Sequence, residues 1–380
     1  MSRPARITIN LAALRHNLRQ IRQMAPGSAV LAMVKSNAYG HGLERIALAL
    51  PDAEAFGVAS LEEGLHLRYA GITQPIVLME GLFHPNEVSR AIAYDFTCVV
   101  HQVEQVEMLE RHPKSRPIPV WLKIDTGMHR LGFQPEKVRE MYQRLMNCKA
   151  VQKPIGLMTH FACADSIDRE HTLQQIELFN SITAGLPGPR SLSNSAGIIA
   201  WPSAHADLIR PGIMLYGASP LAGHRGVEHN LHPVMVLGSE LIATHQLVKG
   251  DRVGYGGIWT CPEDMRIGVV GIGYGDGYPR HVKNGAPVLV NGRPCPLVGR
   301  VAMDMLTVDL RTQPEAKVGD PVLMWGPGLP VEVVAEYSET TAYELLTRIT
   351  QRVGVIVKSE DKMDMVDDGF HLRPEEFLGH

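Results

Sequence analysis

Short apolar runs alternate with amphipathic stretches between residues 30 and 217 of the chain. The apolar runs are rich in β-branched residues, and the stretches between them have helical spacing, for example in residues 61–70, 135–148 and 168–185. This alternation is typical of parallel strands joined by helical crossovers. We count eight candidate strands, which end at or near Val34, Ser60, Glu80, Val100, Ile124, His160, Leu192 and Leu208. Because eight strands close a parallel barrel, the pattern predicts an α/β fold with an N-terminal (β/α)8 TIM-type barrel.

The pattern changes after Tyr216, where glycine and proline become frequent and short strands follow one another with few helices between them. Strands separated by turn signals in this way predict a second, mainly β domain. We expect the barrel at residues 10–230 and the C-terminal β domain at residues 231–380. Arg6 to Asn10 form a further candidate strand, and we expect residues 1–9 to join the β domain.

The charge of the chain argues against a nucleic-acid partner. Its 37 Lys and Arg residues against 40 Asp and Glu residues give a formal net charge of −3, and no cluster of Lys and Arg stands out. The positive patch that a phosphate backbone requires is therefore missing. Arg and His interrupt the apolar residues near the N-terminus, and no apolar run reaches about 18 residues, so we expect a cytoplasmic protein without a membrane partner.

The cysteines and histidines indicate neither disulfides nor a metal site. The five cysteines are odd in number and include no CxxC pair, as expected for free thiols in a reducing compartment. The histidines include no HExxH motif or comparable ligand spacing. We therefore predict no metal.

In a barrel of this type the reactive groups follow the C-terminal ends of the strands. Lys35 follows the first predicted strand, Lys123 lies inside the fifth, and His160 ends the sixth. Lys35 is either a solvated surface charge or a desolvated amine that can form a Schiff base. Lys123 is too deep in its strand to stay unpaired, and an ion pair with Asp125 or Asp165 would neutralise it. His160 is explained equally well as a hydrogen-bonded core imidazole and as part of a site.

The seventh and eighth strands lead into loops that commonly bind phosphate in this fold. Ser195 stands where a helix begins, and Gly212 lets backbone amides approach a ligand closely. Ser195 alone is equally well explained as a helix cap. A Schiff-base lysine facing a phosphate site, with Lys35 across from these loops, is the arrangement that pyridoxal phosphate requires.

Eight strings of the sequence, in order and across both predicted domains, resemble bacterial alanine racemases. They are AVLAMVKSNAYGHG, WLKIDTGMHRLG, THFACAD, NSAGI, IRPGIMLYG, VGYGGIWT, GIGYGDGYPR and GRVAMDM. The resemblance implies a fold-type III pyridoxal-phosphate enzyme that interconverts L-alanine and D-alanine, either for peptidoglycan or for catabolism. It also implies a homodimer in which the partner's β domain completes each active site.

The resemblance also implies roles for individual residues. Lys35 would bind the cofactor covalently and act as the base for D-alanine, whereas Tyr255 of the partner subunit would be the base for L-alanine. Racemisation needs a base on each face, because a single base tends to return the proton to the side it left. The other residues implied to bind the cofactor are Tyr39, Arg130, His160, Asn194, Ser195, Arg210, Gly212 and Ile213.

Further roles follow from the same resemblance. Arg130 and the backbone of Met303 would hold the substrate carboxylate, and carbamylation of Lys123 would turn a buried cation into an anion that positions Arg130. Arg210 would face the pyridine nitrogen, and a chain from it through His160 would lower the pKa of Tyr255. The residues implied to line the entrance are Asp165, Tyr274, Arg280, Arg300 and Ile349.

One position departs from the family pattern. Some members have a tyrosine near the end of the stretch that here reads YELLTRITQRV, where this chain has Gln351. We therefore expect an entrance of different shape and leave selectivity between alanine and serine open. The alternatives are a broad-specificity amino-acid racemase, a decarboxylase on the same barrel, and a non-catalytic carrier of pyridoxal phosphate. A carrier of that barrel type lacks the second domain, and a decarboxylase would not clamp the substrate carboxylate.

Overall fold

The computed structural model describes residues 3–112, 116–166 and 169–359 of the 380-residue chain. The chain divides into two compact units. The first, here called the barrel unit, comprises Asn17–Leu215 and Ser219–His224. The second, here called the β unit, comprises the residues up to His16, Tyr216–Ala218 and the residues from Arg225 onwards. We number the strands β1–β18 and the helices α1–α11 along the chain, and β1 (Arg6–Asn10) belongs to the β unit.

Eight parallel strands form the sheet of the barrel unit. They are β2 (Ala29–Met33), β3 (Ala55–Val58), β4 (Ile76–Leu78), β5 (Phe96–Val100), β6 (Val120–Lys123), β7 (Gly156–Met158), β8 (Arg190–Ser191) and β9 (Leu208–Ile209). Each strand from β2 to β8 pairs with its neighbours in chain order, and β9 pairs with β2. The strands β3, β4 and β7 are buried throughout, because a parallel sheet covered by helices is apolar on both faces.

The ring closes between β8 and β9. Asn194 and Arg210, which follow these strands, form a parallel bridge, and the amide of Arg210 donates to the carbonyl of Ser193 over 3.0 Å. The amide of Asp207, just before β9, donates to the carbonyl of Arg190 over 3.1 Å. The predicted eight-stranded parallel barrel is thereby confirmed.

Helices precede and separate the barrel strands along the chain, and local sequence explains where several of them begin. They are α1 (Leu11–Met24), α2 (Lys35–Tyr39), α3 (Leu43–Leu48), α4 (Leu61–Tyr69), α5 (Asn86–Ala93), α6 (Val103–Arg111), α7 (Pro135–Asn147), α8 (Glu170–Thr183) and α9 (Ser195–Ala200). The hydroxyl of Ser60 caps α4 by accepting the amide of Glu63, and Pro135 opens α7, where a missing N–H is harmless. The helices predicted at residues 61–70, 135–148 and 168–185 are α4, α7 and α8.

The β unit contains the later strands. They are β10 (Met235–Leu247), β11 (Arg252–Val253), β12 (Trp259–Thr260), β13 (Met265–Val270), β14 (Pro287–Val290), β15 (Arg293–Val298), β16 (Leu306–Asp309), β17 (Pro321–Trp325) and β18 (Gly354–Lys358). A ring closes in the order β13-β16-β15-β14-β17-β10, because β10 also pairs with β13. A register shift between Leu241 and Ala243 lets the first half of β10 pair with β17 and the second half with β13.

The N-terminal strand also belongs to this sheet, since β1 pairs antiparallel with β10 and parallel with β18. The β unit further contains α10 (Val331–Tyr337) and α11 (Ala342–Thr347). Its core includes Trp325 and Tyr278, whose rings stack with centroids 6.1 Å apart. The predicted mainly β second domain is confirmed.

Two further observations concern the chain as a whole. None of the helices in the described part of the chain is long and apolar enough to cross a membrane. All five cysteines are free thiols, and only Cys163 among them is not fully buried.

Candidate active site

Four cationic side chains lie at or near the C-terminal ends of the barrel strands. Lys35 follows β2 after a single intervening residue, Lys123 is the last residue of β6, and Arg210 follows β9 directly. The positive charges of Arg210, Arg130 and Lys35 all lower the pKa of Lys123, so each of the three lies within electrostatic reach of Lys123. The structure thus brings together four residues that the sequence singled out.

Lys123 is a buried lysine that forms no salt bridge with any carboxylate of the described residues. Burial lowers its pKa most strongly, the three neighbouring cations lower it further, and the pKa falls to about 8. The negative charge of Glu80, a residue that follows β4, raises the pKa of Lys123 and so opposes these effects. The interpretation of Lys123 as the ion-pair partner of Asp125 or Asp165 is therefore wrong. Asp125 pairs with its own loop instead.

The carboxylate of Asp125 organises the loop that carries Arg130. One of its oxygens accepts three backbone amides at 3.0–3.1 Å, those of Gly127, Met128 and His129. Burial alone would raise the pKa of Asp125, but these hydrogen bonds outweigh burial and hold the pKa below its ordinary value. Because the loop uses these lone pairs, Asp125 stabilises the turn before Arg130 rather than the ammonium of Lys123.

Arg210 is buried and contacts the ring of His160. Its guanidinium donates to the hydroxyl of Ser191 and to the carbonyls of Thr159 and Leu192. Its Nη2 also lies 3.4 Å from Nδ1 of His160. A guanidinium can only donate, and Nε2 of His160 in turn lies 3.4 Å from the side-chain amide nitrogen of Asn194, so both ring nitrogens face donors. Burial, followed by the positive charge of Arg210, holds the pKa of His160 well below its ordinary value, so the ring is neutral near pH 7.

The backbone around His160 is held by a buried glutamine that was not predicted. Gln175 of α8 accepts the amide of Ala162 at 3.0 Å and donates to the carbonyl of His160 at 3.1 Å. It also donates to the hydroxyl of Thr126 at 3.2 Å, and Thr126 contacts the hydroxyl of Thr159 over 2.7 Å. In the sequence Gln175 looks like any polar residue of an amphipathic helix, and only the fold buries it.

A second group of unpredicted residues surrounds the end of β4 and β5. Nε2 of His101 lies 2.9 Å from the carbonyl of Glu80, and the side chain of Gln105 accepts the amide of His101 at 2.9 Å. Burial lowers the pKa of His101, and the charge of Lys123 lowers it further. Glu80 and His101 each follow an apolar run, so the strand-end rule applied to Lys35 could have found them.

Ser195, Gly212 and Tyr39 meet where the loops after β8 and β9 approach α2. The hydroxyl of Ser195 accepts the amide of Gly212 at 2.8 Å. A Cβ added at Gly212 would lie 2.3 Å from the Tyr39 hydroxyl oxygen, so only glycine permits this approach. Burial raises the pKa of Tyr39 to about 12, which keeps its hydroxyl neutral. Asn194 caps α9 through the amide of Gly197, and Ile213 opens a 3-10 turn, so the predicted phosphate-binding residues occupy adjoining loops.

The backbone after Lys35 has a left-handed helical conformation. Four consecutive residues have φ between 52° and 54°, namely Ser36, Asn37, Ala38 and Tyr39. This conformation costs L-residues about 1–2 kcal/mol each. Nδ1 of His41 donates to the carbonyls of Ala38 and Tyr39 at 3.0 and 2.9 Å, and burial lowers the pKa of His41 to about 4. Strain of this kind next to Lys35 is typical of a functional site.

Tyr255 begins a short 3-10 turn of the β unit, Tyr255–Gly257, and 69% of its surface is exposed. Tyr255 is therefore an exposed residue of a turn and not a half-buried aromatic of a strand. An open pocket of about 530 Å³ adjoins it, lined by Gly254, Gly256, Val269, Arg300, Ala302, Met305, Leu306 and Thr307.

Tyr274, Met303 and Ile349 lie in three segments of the β unit that hydrogen bonds join. The amide of Gly275 donates to the carbonyl of Met303 at 2.8 Å. The hydroxyl of Thr350 donates to the carbonyl of Gly275 at 2.9 Å. The three segments are therefore neighbours in the structure, although they are far apart in sequence.

The other residues expected at the entrance belong to both units. Arg280 lies 6.0 Å from the centroid of the Tyr274 ring, a cation–π distance, and Arg300 lines the pocket beside Tyr255. Asp165 is exposed in a loop of the barrel unit, and Gln351 is exposed in the β unit.

Two family models match the chain in succession. The model described as alanine racemase, N-terminal domain matches residues 9–220, and the model described as alanine racemase, C-terminal domain matches residues 234–357. The chain belongs to the alanine racemase family. The resemblance seen in the sequence is thereby confirmed, and with it the expectation of an isomerase acting on an amino acid.

Relatives of the alanine racemase family match almost the whole chain. The alanine racemase of Shewanella baltica (strain OS155) is 53% identical over 350 residues, which cover 92% of this chain and 98% of the relative. The protein of Escherichia coli (strain K12) named "Alanine racemase, biosynthetic" is 51% identical over 352 residues, with the same coverage of 92% and 98%. Among solved structures, the biosynthetic alanine racemase from Pseudomonas aeruginosa has a TM-score of 0.91 and 44% identity, covering 94% of this chain and 99% of that chain.

Proposed function

We propose that the chain interconverts L-alanine and D-alanine with pyridoxal phosphate bound covalently by Lys35. The observation that carries this proposal is the group of four cations at the barrel mouth, Lys35, Lys123, Arg130 and Arg210, with the carboxylate of Glu80 as an opposing charge on Lys123. An anionic cofactor supplies the negative charge that this group requires. When bound, pyridoxal phosphate supplies an electron-withdrawing ring that acidifies the Cα–H of the attached amino acid.

The residues around α2 and the last two barrel strands fit the phosphate end of this cofactor. The neutral hydroxyl of Tyr39 and the hydroxyl of Ser195 are donors that suit an anion, and Gly212 leaves space beside them. Asn194 and Ile213 belong to the same loops and complete this set. Arg130 would contact the phenolic oxygen of the cofactor.

Arg210 would face the pyridine nitrogen of the cofactor. Burial lowers its pKa only to about 10, so it stays protonated at neutral pH and can only donate. A guanidinium donor at that position would leave the pyridine nitrogen without a proton of its own, so Arg210 would favour a weaker electron sink and fewer side reactions such as transamination.

Two bases on opposite faces of the substrate move the α-proton. Lys35 serves D-alanine, and Tyr255 of the partner subunit serves L-alanine. A free tyrosine has a pKa of about 10, so the site must stabilise its phenolate. His160 is suited to this task, because its ring is neutral and Arg210 supplies positive charge beside it.

The substrate carboxylate would bind Arg130 and the backbone of Met303. A backbone hydrogen bond supports this assignment. The amide of Gly275 donates to the carbonyl of Met303 and so fixes the position of the Met303 backbone. The residues that we assign to the entrance are Asp165, Tyr274, Arg280, Arg300 and Ile349.

Lys123 is the residue that we expect to be carbamylated. Its pKa of about 8 leaves more neutral amine near neutral pH than an ordinary lysine has, and a neutral amine adds to carbon dioxide with loss of one proton. The resulting carbamate is an anion that offsets the neighbouring cations and positions Arg130. Protein kept in ¹³C-bicarbonate should show one carbamate resonance per chain by NMR, and Lys123→Arg should remove it.

The functional enzyme is a homodimer in which the β unit of one subunit completes the barrel site of the other. The exposure of Tyr255 in the β unit supports this arrangement, since a base that serves a buried site requires a covering surface. The relatives named biosynthetic support a role in supplying D-alanine, and the free thiols suit a cytoplasmic location.

Chiral chromatography tests the proposal. The purified protein with pyridoxal phosphate is incubated separately with L-alanine, L-serine, L-lysine and L-arginine, and D-alanine should be by far the dominant product. Lys35→Ala should abolish conversion in both directions, whereas Lys137→Ala, which removes an exposed lysine of α7, should not. D-serine, D-lysine and D-arginine in amounts equal to D-alanine would instead identify a broad-specificity racemase. No D-product with the cofactor bound would indicate a carrier or a decarboxylase.

A further inference from the structure

Two aspartates and two arginines form a compact charge cluster in the β unit. Asp276 is fully buried and lies 2.8 Å from Nη2 of Arg3 and 2.9 Å from Nε of Arg352. Asp304 also pairs with Arg352 and lies 3.5 Å from Nη1 of Arg3. We call these four residues the Asp276 cluster. A buried carboxylate is costly unless it is paired, so the burial of Asp276 depends on both arginines.

The cluster joins the three segments that carry the β-unit residues assigned above to the substrate and its entrance. Each segment contributes one member: Asp276 ends the turn that begins at Tyr274, Asp304 follows Met303, and Arg352 lies three residues after Ile349. The fourth member, Arg3, comes from the segment before β1 and also donates to the backbone carbonyl of Asp304 at 3.3 Å. The cluster is therefore the charged connection between segments that are distant in sequence.

The backbones of these segments pack tightly around the cluster. The amide of Gly275 donates to the carbonyl of Met303 at 2.8 Å, and the amide of Thr350 donates to the carbonyl of Asp276 at 3.2 Å. A Cβ added at Gly275 would lie 2.7 Å from Nη1 of Arg352 and 3.0 Å from the carbonyl oxygen of Met303. Because these groups leave so little space between them, we expect a displacement of Arg352 to shift the backbone of Met303.

We propose that Asp276 is a positioning residue, which through Arg3 and Arg352 sets the place of the Met303 backbone where the substrate carboxylate binds. This inference rests on the proposed function. Asp276 itself does not touch the substrate. The substrate carboxylate takes no part in proton transfer. The backbone of Met303 therefore binds that carboxylate equally well in the ground state and in the transition state. A displaced Met303 therefore weakens binding more than it slows turnover.

The experiment compares Asp276→Asn with a matched control, Asp309→Asn, in the purified holoenzyme. Asp309 is also a buried aspartate of the β unit, and it lies 2.8 Å from Nη2 of Arg311, but it contacts none of the three segments through its side chain. Asp276→Asn should raise the KM for both enantiomers about tenfold and change kcat less than about threefold. The inhibition constant of propionate, which keeps the carboxylate of alanine but has no amine, should rise by a similar factor.

Each outcome decides between the proposals. Asp309→Asn should lower the melting temperature without changing KM or propionate inhibition, which separates positioning from general destabilisation. An unchanged KM in Asp276→Asn, with an active wild type, would overturn the inference and leave the proposed function intact. An inactive wild type would refute the proposed function itself. If Asp276→Asn does not fold, Arg3→Gln and Arg352→Gln replace it, and an unchanged KM in both variants overturns the inference.

Discussion

At the scale of single residues, burial decides which groups near the barrel mouth carry charge. His41 and His160 are both driven to the neutral form, while Arg210 keeps its proton because its ordinary pKa is so high. Lys123 lies between these cases, with a pKa of about 8. The surroundings of these four side chains thus determine which of them are charged.

We predict that His41→Asn weakens the dependence of stability on pH. Histidine in the unfolded chain titrates near a pKa of about 6.5, whereas burial holds the folded pKa of His41 at about 4. Between these values the unfolded state binds more protons, so the free energy of unfolding falls as the pH decreases, by up to about 1.4 kcal/mol per pH unit and proton. Asparagine keeps a donor for the two carbonyls and does not titrate. Urea unfolding between about pH 7 and pH 4 should therefore show a shallower slope in the variant.

The control for this measurement is His84→Asn, which removes an exposed histidine of the same unit. Its slope should match that of the wild type. If His41→Asn also retained the wild-type slope, the burial of a neutral His41 would be refuted.

The sequence indicated most residues of the barrel mouth, because the strand-end rule needs only an apolar run and the polar residue after it. Lys35, Lys123 and His160 were found in this way. The partner of Lys123 was predicted wrongly, since hydrogen bonds between Asp125 and nearby backbone amides cannot be seen in the sequence. Gln175 was missed because its burial depends on the packing of α8.

At the scale of elements, the turn after β2 combines strain with function. Helix α2 contains no glycine, yet four of its five residues adopt the left-handed conformation that glycine favours. The sequence predicts no such turn, because among Ser36, Asn37, Ala38 and Tyr39 only asparagine favours the left-handed region, and then as a single residue. The hydrogen bonds of His41 and the burial of Ala38 and Tyr39 hold it in place.

We predict that Ser36→Gly stabilises the protein and that Ser36→Val destabilises it. Ser36 has a φ of 53° and is exposed, so glycine relieves strain there without loss of packing. The free energy of unfolding should rise by about 1 kcal/mol with glycine, and valine should lower it because a β-branched residue fits this region poorly. Chemical unfolding of the three proteins measures the difference. Two variants that destabilise equally would show that Ser36 is not left-handed.

The strands of the barrel were predicted more completely than the elements of the β unit. Buried parallel strands are continuous apolar runs, whereas antiparallel strands mix apolar with polar residues and are harder to delimit. β18, for example, has three exposed apolar residues, Val355, Ile356 and Val357, and its pairing with β1 joins the two ends of the described chain. A pairing over that sequence distance leaves no local signal.

At the scale of the whole molecule, the proposed chemistry is divided between two compact units. Lys35 belongs to the barrel unit and Tyr255 to the β unit. The two-domain organisation and the fold class followed from the change of pattern after Tyr216, and the resemblance identified the family. The sharing of sites between subunits rests on the resemblance and requires its own test.

We predict that two inactive variants restore activity when their subunits are mixed. Lys35→Ala removes the cofactor attachment and Tyr255→Phe removes the second base, so each homodimer lacks activity. A mixed dimer in which the sites are shared has one intact site, and racemisation should return after subunit exchange. If exchange is confirmed and no activity returns, Tyr255 serves the site of its own chain.

Hydrogen exchange in Tyr255→Phe tests the two-base account most directly. The variant is incubated with pyridoxal phosphate in heavy water, separately with L-alanine and with D-alanine, and deuterium at Cα is measured by NMR. Because Lys35 remains, D-alanine should exchange its α-hydrogen while L-alanine does not, and neither should be racemised. Equal loss of exchange for both enantiomers, or retained racemisation, would contradict the division of labour between Lys35 and Tyr255.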